Sequence, residues 1–146
     1  MTEVMTELRL ERTFRAEPER VFDAWTNPEV LRRWWAAQPD WDCSGAEVDP
    51  RVGGRYELSM AGDGHEHTVT GEYREFERPS RLVYTWAWKG ADSDSEETLV
   101  TVEFHDESEG TRVVLTHSGF GSEESRNNHE HGWNGCFDNL ERRVFA

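Results

Sequence analysis

Six histidines and two cysteines stand among the 146 residues, and their spacing limits the chemistry they could do. His65-Glu66-His67 puts two imidazoles on one face of an extended stretch, the beginning of a metal site. A catalytic zinc ordinarily takes three protein ligands, and here both imidazoles adjoin a Gly-rich turn with no third ligand near in sequence. No metal and no cofactor is expected. Cys43 and Cys136 are far apart and lack a CxxC partner, so they read as two reduced thiols. His117 closes the alternating row Val113, Leu115, His117. It could anchor a ligand carbonyl, serve as general acid or base with a carboxylate such as Glu57 or Glu130, or satisfy a neighbour inside the core. His129 lies four residues before Trp133 on a helical stripe and is expected to approach His117. His131, about 160° further round the same helix, is expected in solvent. Arg12 is the one charge on the inward face of the first strand; it reads as a salt bridge near a sheet edge, with a carboxylate-bearing ligand as the rival.

Around these polar groups the sequence gathers rings: seven Trp, seven Phe and three Tyr, although apolar residues make up only 35% of the chain. Disordered chains are poor in such side chains. Sixteen basic residues against 30 acidic ones give a formal charge of -14, which opposes a phosphate backbone and an anionic bilayer alike. Nucleic acid and membrane are therefore not expected partners. No apolar run approaches the length of a spanning helix, and the N-terminal residues lack the apolar core of a signal peptide. A soluble, cytoplasmic protein is expected, monomeric or a homodimer.

The elements that must position these groups follow from periodicity. Leu8, Leu10, Arg12 and Phe14 alternate with polar residues as a half-buried first strand. Pro18 and Pro28 each suit the first position of a short helix, the second capped by Asn27. Trp34 and Trp35 end that second helix; as neighbours they are not expected to face one core together, and one is placed at a cavity mouth. Residues 36–52 read as a loop containing a short strand. Residues 53–119 alternate with period two between turn signals, the mark of antiparallel strands joined by hairpins, giving six strands in series and a curved meander; residues 90–97 form a polar connection. Ser122 then caps a helix whose stripe is His129, Trp133, Phe137, Leu140 and Val144. Gly132 and Gly135 weaken it unless another element approaches closely. One domain spans residues 6–146.

That order of elements, with Ala16-Glu17-Pro18-Glu19-Arg20-Val21-Phe22-Asp23-Ala24-Trp25-Thr26-Asn27-Pro28-Glu29, Trp34-Trp35, Gly53-Gly54-Arg55-Tyr56, Arg81-Leu82-Val83-Tyr84-Thr85-Trp86, Thr116-His117 and Gly132-Trp133, resembles the START-like (SRPBCC) helix-grip superfamily. Within it the resemblance is to the branch similar to the activator of heat-shock-protein ATPase. It implies an α+β helix-grip fold: a curved seven-stranded antiparallel sheet around a long C-terminal helix, two short helices after the first strand, and a cavity opening near those helices. Carriers and sensors of small molecules are common in this superfamily, alongside cyclases and hydrolases.

A sheet curved around one helix leaves its concave face to be filled by large side chains or kept as a pocket. Trp34, Trp35, Tyr56, Tyr84 and Trp86 are expected to point into this volume, with Trp88, Trp133 and Phe137 beside them and His117 and His129 as polar exceptions. Apolar enclosures with a few convergent polar groups suit small molecules, whereas plain packing is the reading for any single ring. The expectation is a binding module for a small hydrophobic or aromatic ligand, neutral or weakly polar unless Arg12 or Arg55 offsets a negative charge. The alternatives are a polyketide cyclase-like or hydrolase-like enzyme using His117, and a stress-response protein with a chaperone partner.

Overall fold

A computed structural model describes residues 7–89 and 97–146. The chain runs β1 (Glu7–Phe14), α1 (Pro18–Thr26), α2 (Pro28–Trp34), β2 (Asp42–Val48), β3 (Arg55–Gly62), β4 (His65–Glu77), β5 (Arg81–Trp88), β6 (Thr98–Glu107), β7 (Gly110–Ser118) and α3 (Glu123–Arg143). Seven antiparallel strands lie in the order β1-β7-β6-β5-β4-β3-β2. β2 to β7 form the meander, and β1 returns to its far end, with Glu7 opposite Ser118 and Phe14 opposite Thr111. Most of the expected polar connection, residues 90–96, lies outside the described residues.

The local chemistry explains each boundary. Pro18 and Pro28 occupy first turns, where their missing N–H is no loss. The Asn27 side chain accepts the Glu29 N–H at 3.0 Å. Ser122 does the same for Ser125 at the head of α3, whose first turn carries Glu123 and Glu124 and whose last carries Arg142 and Arg143, each sign matched to the helix dipole. Asp63 and Gly64, both with positive φ, make the two-residue turn between β3 and β4.

The sheet bends where β4 meets β5. A Cβ on Gly71 would come within 1.9 Å of the Thr85 carbonyl oxygen and 2.7 Å of the Tyr56 ring, so only glycine permits this approach. The ladder opens beside it, and the Glu72 N–H turns to the Thr85 hydroxyl at 2.9 Å. A bulge between Tyr73 and Glu75 adds further bending.

α3 lies along the concave face, held at one end by β1. Arg12 reaches across to Asp138 at 2.8 Å and Glu141 at 3.4 Å, the salt bridge at the sheet edge that the sequence suggested. α1 and α2 cover one end of the concavity and fill it with Phe22, Trp25, Leu31 and Trp34. The other end, between the loop after α2, the β3–β4 hairpin, β5 and the middle of α3, is hollow.

Candidate functional site

The hollow has a volume of about 380 Å³, within the range of small-molecule pockets and near its lower end. Its walls are Trp35 and Trp41 from the loop side, Met60 and His67 from the hairpin, and Trp86 and Trp88 from β5. α3 contributes Asn128, His129, His131, Gly132, Trp133 and Cys136. Among the described lining residues there is no Asp, Glu, Lys or Arg, in a chain where charged residues make up 32%.

The structure divides the ten candidate side chains into three groups. Trp35, Trp86, Trp88, His129 and Trp133 line the hollow. Tyr56 and Tyr84 instead border, with Trp35 and Trp86, a separate void of about 10 Å³. The Tyr56 hydroxyl is already donated to the Thr85 carbonyl, and burial raises the pKa of both phenols. Trp34, Phe137 and His117 line neither space. Trp34 is fully buried against Trp25, ring centroids 5.0 Å apart, and donates its indole N–H to the Ala24 carbonyl at 2.9 Å. Phe137 packs edge-on to Phe14 and Trp25.

The expectation that Trp34 and Trp35 cannot share one interior is corrected: both are buried, at 0% and 2% exposure. The helix ends at Trp35, whose ψ of 88° leaves the helical region. The usual angular separation of neighbours therefore no longer applies, and Trp35 swings toward Trp86 at 6.2 Å.

His117 and His129 meet as expected, ring centroids 5.2 Å apart, and their hydrogen bonds fix their states. The Trp133 indole donates to His117 Nδ1 at 3.1 Å, so the ring proton sits on Nε2 and is donated to the Thr98 hydroxyl at 2.7 Å. That hydroxyl in turn donates to the Trp86 carbonyl at 3.2 Å. His117 is fully buried. Burial, with the neighbouring His129, pushes its pKa down to about 2. His129 carries the opposite tautomer: Nδ1–H donates to the Ser125 carbonyl at 2.7 Å, and Nε2 accepts the Trp88 indole N–H at 2.9 Å. Burial lowers its pKa as well, against the opposing effect of the Ser125 bond.

This arrangement weighs against His117 as an acid-base catalyst. Both its nitrogens are engaged, it does not reach the hollow, and the carboxylates considered for it are paired elsewhere: Glu57 with Lys89 at 3.0 Å and Glu130 with Arg126 at 2.9 Å. The geometry is that of a rigid support behind the wall. Cys136 does reach the wall, but burial pushes its thiol up to about 12, far from the thiolate a nucleophile needs.

Trp41 and His67 are lining residues that the sequence reading missed. Their rings stack at 5.7 Å and 14°. Trp41 sits in a stretch without periodicity, so no pattern marked it; His67 was read with the adjacent turn. The spacing of His67 on β4 did hold the signal, since it faces the hollow while His65 stacks beside it at 6.4 Å. Among the described residues no group of three or more His, Cys, Asp or Glu is placed to hold a metal ion. His131 is exposed at the mouth. Arg12 and Arg55 stand away from the hollow, Arg55 directed to Thr70 at 3.4 Å.

The lip formed by residues 35–41 is tied to α3. Asn139 donates to the carbonyls of Ala36 and Gln38, each at 2.9 Å. Arg142 and Arg143 both reach the Pro39 carbonyl, and Arg143 also that of Trp41. A Cβ on Gly135 would lie 1.9 Å from the Ala37 carbonyl oxygen. This glycine is the close approach that the sequence left as a condition; at Gly132 the nearest atom is Ala37 Cβ at 3.7 Å, which asks for no glycine.

No described helix is long and apolar enough to cross a membrane. No protein of curated function matches the sequence. Solved structures do. A protein from Chromobacterium violaceum is 26% identical with a TM-score of 0.87, over 98% of this chain and 99% of that one. An AHSA1-like protein from Aeromonas hydrophila is 32% identical with a TM-score of 0.80, over 94% and 91%. An AHSA1 protein from Silicibacter pomeroyi is 27% identical with a TM-score of 0.81, over 94% and 96%. Residues 15–144 match the family described as activator of Hsp90 ATPase homolog 1-like protein, with the helix-grip architecture above, and the chain belongs to that family.

Proposed function

We propose that this protein binds a small hydrophobic, chiefly aromatic molecule in the hollow between the sheet and α3, as a carrier or sensor rather than a catalyst. The observation that carries this reading is the composition of the wall: five indoles around about 380 Å³, with no ionised side chain among the described lining residues. Large rings could have closed this space, as α1 and α2 close the other end of the same concavity. Here they line it, Trp133 braced from behind by His117 and Trp88 held to His129 within the wall itself. A neutral guest fits, because no cation on the described wall would offset a carboxylate and the net charge of -14 repels anions. A chaperone partner is favoured only by the family description, which names an activator of Hsp90 ATPase; the uncharged wall is the stronger guide.

Intrinsic fluorescence tests the reading. Titration with a panel of neutral two- and three-ring aromatics should quench tryptophan emission saturably. Trp88→Leu should weaken the tightest of them by roughly tenfold, the loss of one large ring contact. Linear, unsaturable quenching by every compound would overturn the proposal.

A further inference from the structure

We propose that the bond between Trp88 and His129 is an acid-sensitive latch on the hollow: a second proton on His129 excludes that bond, so acidification releases the Trp88 ring from α3 and opens the wall beside it. The inference goes beyond the binding reading and does not rest on it, since it concerns the wall of the free protein.

The exclusion follows from donors and acceptors. A carbonyl can only accept, so the contact of 2.7 Å between His129 Nδ1 and the Ser125 oxygen fixes a proton on Nδ1. The neutral ring then has one lone pair, at Nε2, and the Trp88 indole N–H takes it at 2.9 Å. A proton arriving at Nε2 would set two N–H groups against each other. His129 keeps its bond to Ser125, one turn earlier on the same helix, so Trp88 is the side chain that yields. Trp88 is the last residue of β5 and half-buried, and its pairing with Val69 is the last of the β4–β5 register. Its ring otherwise rests edge-on against Trp86 and His67.

His129 is also the histidine that a proton can reach. It is half-buried and lines the hollow, whereas His117, whose bond from Trp133 has the same form, is fully buried behind the wall.

Nothing facing the ring supplies a counter-charge. β5 presents Trp86 and Trp88, β7 presents His117 with centroids 5.2 Å apart, and the segment after β7 presents Phe120 at 4.8 Å. On β4 the titratable group is His67, which stands against Trp88 rather than against His129. On α3 itself Arg126 and Glu130 pair with each other, and His131 is exposed. Among the described residues no carboxylate acts on His129, and burial holds its titration below the ordinary histidine value of about 6.5. A cation formed there gains nothing by staying against the indole.

Nuclear magnetic resonance of the free protein, labelled with ¹⁵N at tryptophan and histidine, tests this between pH 7.5 and pH 4.5. At pH 7.5 a coupling should connect Trp88 Nε1 and His129 Nε2 across their hydrogen bond, with the Trp88 indole proton downfield. On acidification the coupling should vanish and the indole proton move upfield, both with the midpoint of the His129 Nε2 signal. The Trp34 indole, donated to the Ala24 carbonyl far from this wall, should not move, which separates local opening from unfolding. Trp88→Phe removes the N–H that competes with the proton and should raise the His129 midpoint by about half a unit to one unit. His67→Gln should leave the Trp88 transition in place, and His129→Gln should abolish it.

A Trp88 coupling that survives the titration of His129 would overturn the latch, and this reading needs no variant to fold. So would a His129 midpoint unchanged in Trp88→Phe, or a transition lost in His67→Gln. If the Trp34 and Trp88 signals collapse together before His129 titrates, acid unfolds the protein rather than opening the hollow, and the inference falls.

Discussion

His117 should make the protein lose stability as pH falls, well before its carboxylates titrate. In the folded chain burial holds this ring neutral, its pKa pushed down to about 2, whereas in the unfolded chain it returns to about 6.5. The folded value is depressed, so between the two the unfolded state binds a proton that the folded state refuses. The contribution of His117 is therefore complete above the unfolded pKa and is lost as pH drops below it, by about 1.4 kcal/mol per pH unit. Between pH 7 and pH 5 the loss amounts to about 2 kcal/mol, with His129, lowered in the same direction, adding to it. Urea unfolding at half-unit steps of pH measures this. His117→Gln keeps a donor and an acceptor for Thr98 and Trp133 while removing the titration. Its stability should fall about 2 kcal/mol less than that of the parent over this interval, whatever its stability at pH 7. Parallel curves for the two proteins would refute the assignment of His117 as a neutral, doubly bonded ring.

Gly135→Ala should destabilise by about 1 to 3 kcal/mol despite a better helix propensity, because its Cβ meets main chain at Ala37. Gly132→Ala, with only ordinary contact at 3.7 Å, should stabilise by up to about 1 kcal/mol, so thermal melts of the two variants should shift in opposite directions. Asn139→Ala removes both bonds to the lip and should cost about 2 kcal/mol, with faster amide exchange over residues 36–41. Arg12→Ala should cost less than about 1 kcal/mol in chemical denaturation, since its carboxylate partners are exposed. Cys136, buried with its thiol pushed up to about 12, should stay unreactive toward a thiol reagent at pH 8 until denaturant is added.

The elements were legible because their signals are local. Period two marks β3 to β7, and Pro18, Pro28 and Ser122 mark helix starts where the structure has them. His117 and His129 could be paired from sequence because strand and helix periodicities put both on inward faces. What failed depended on three-dimensional supply and demand. Whether Tyr84 or Phe137 borders open space depends on how far α1 and α2 extend over the sheet, which no spacing encodes. Trp34 and Trp35 were separated by assuming that the helix continues through both. Trp41 entered the wall from a loop, where position is set by the bonds that Asn139, Arg142 and Arg143 make to main-chain carbonyls, and such bonds leave no trace in the identity of the residues that accept them.

The return of β1 to β7 bears on how the chain is made. Glu7 pairs with Ser118 and Phe14 with Thr111, so the first strand of the sheet to be synthesised has no partner until the other six have emerged. β2 to β7, by contrast, pair with sequence neighbours and can assemble in order of synthesis. Non-local closure of this kind is slow. It places the docking of β1 among the last steps in the folding of this domain, together with the α3 helix that Arg12 anchors, so that the hollow is enclosed only after α3 has emerged.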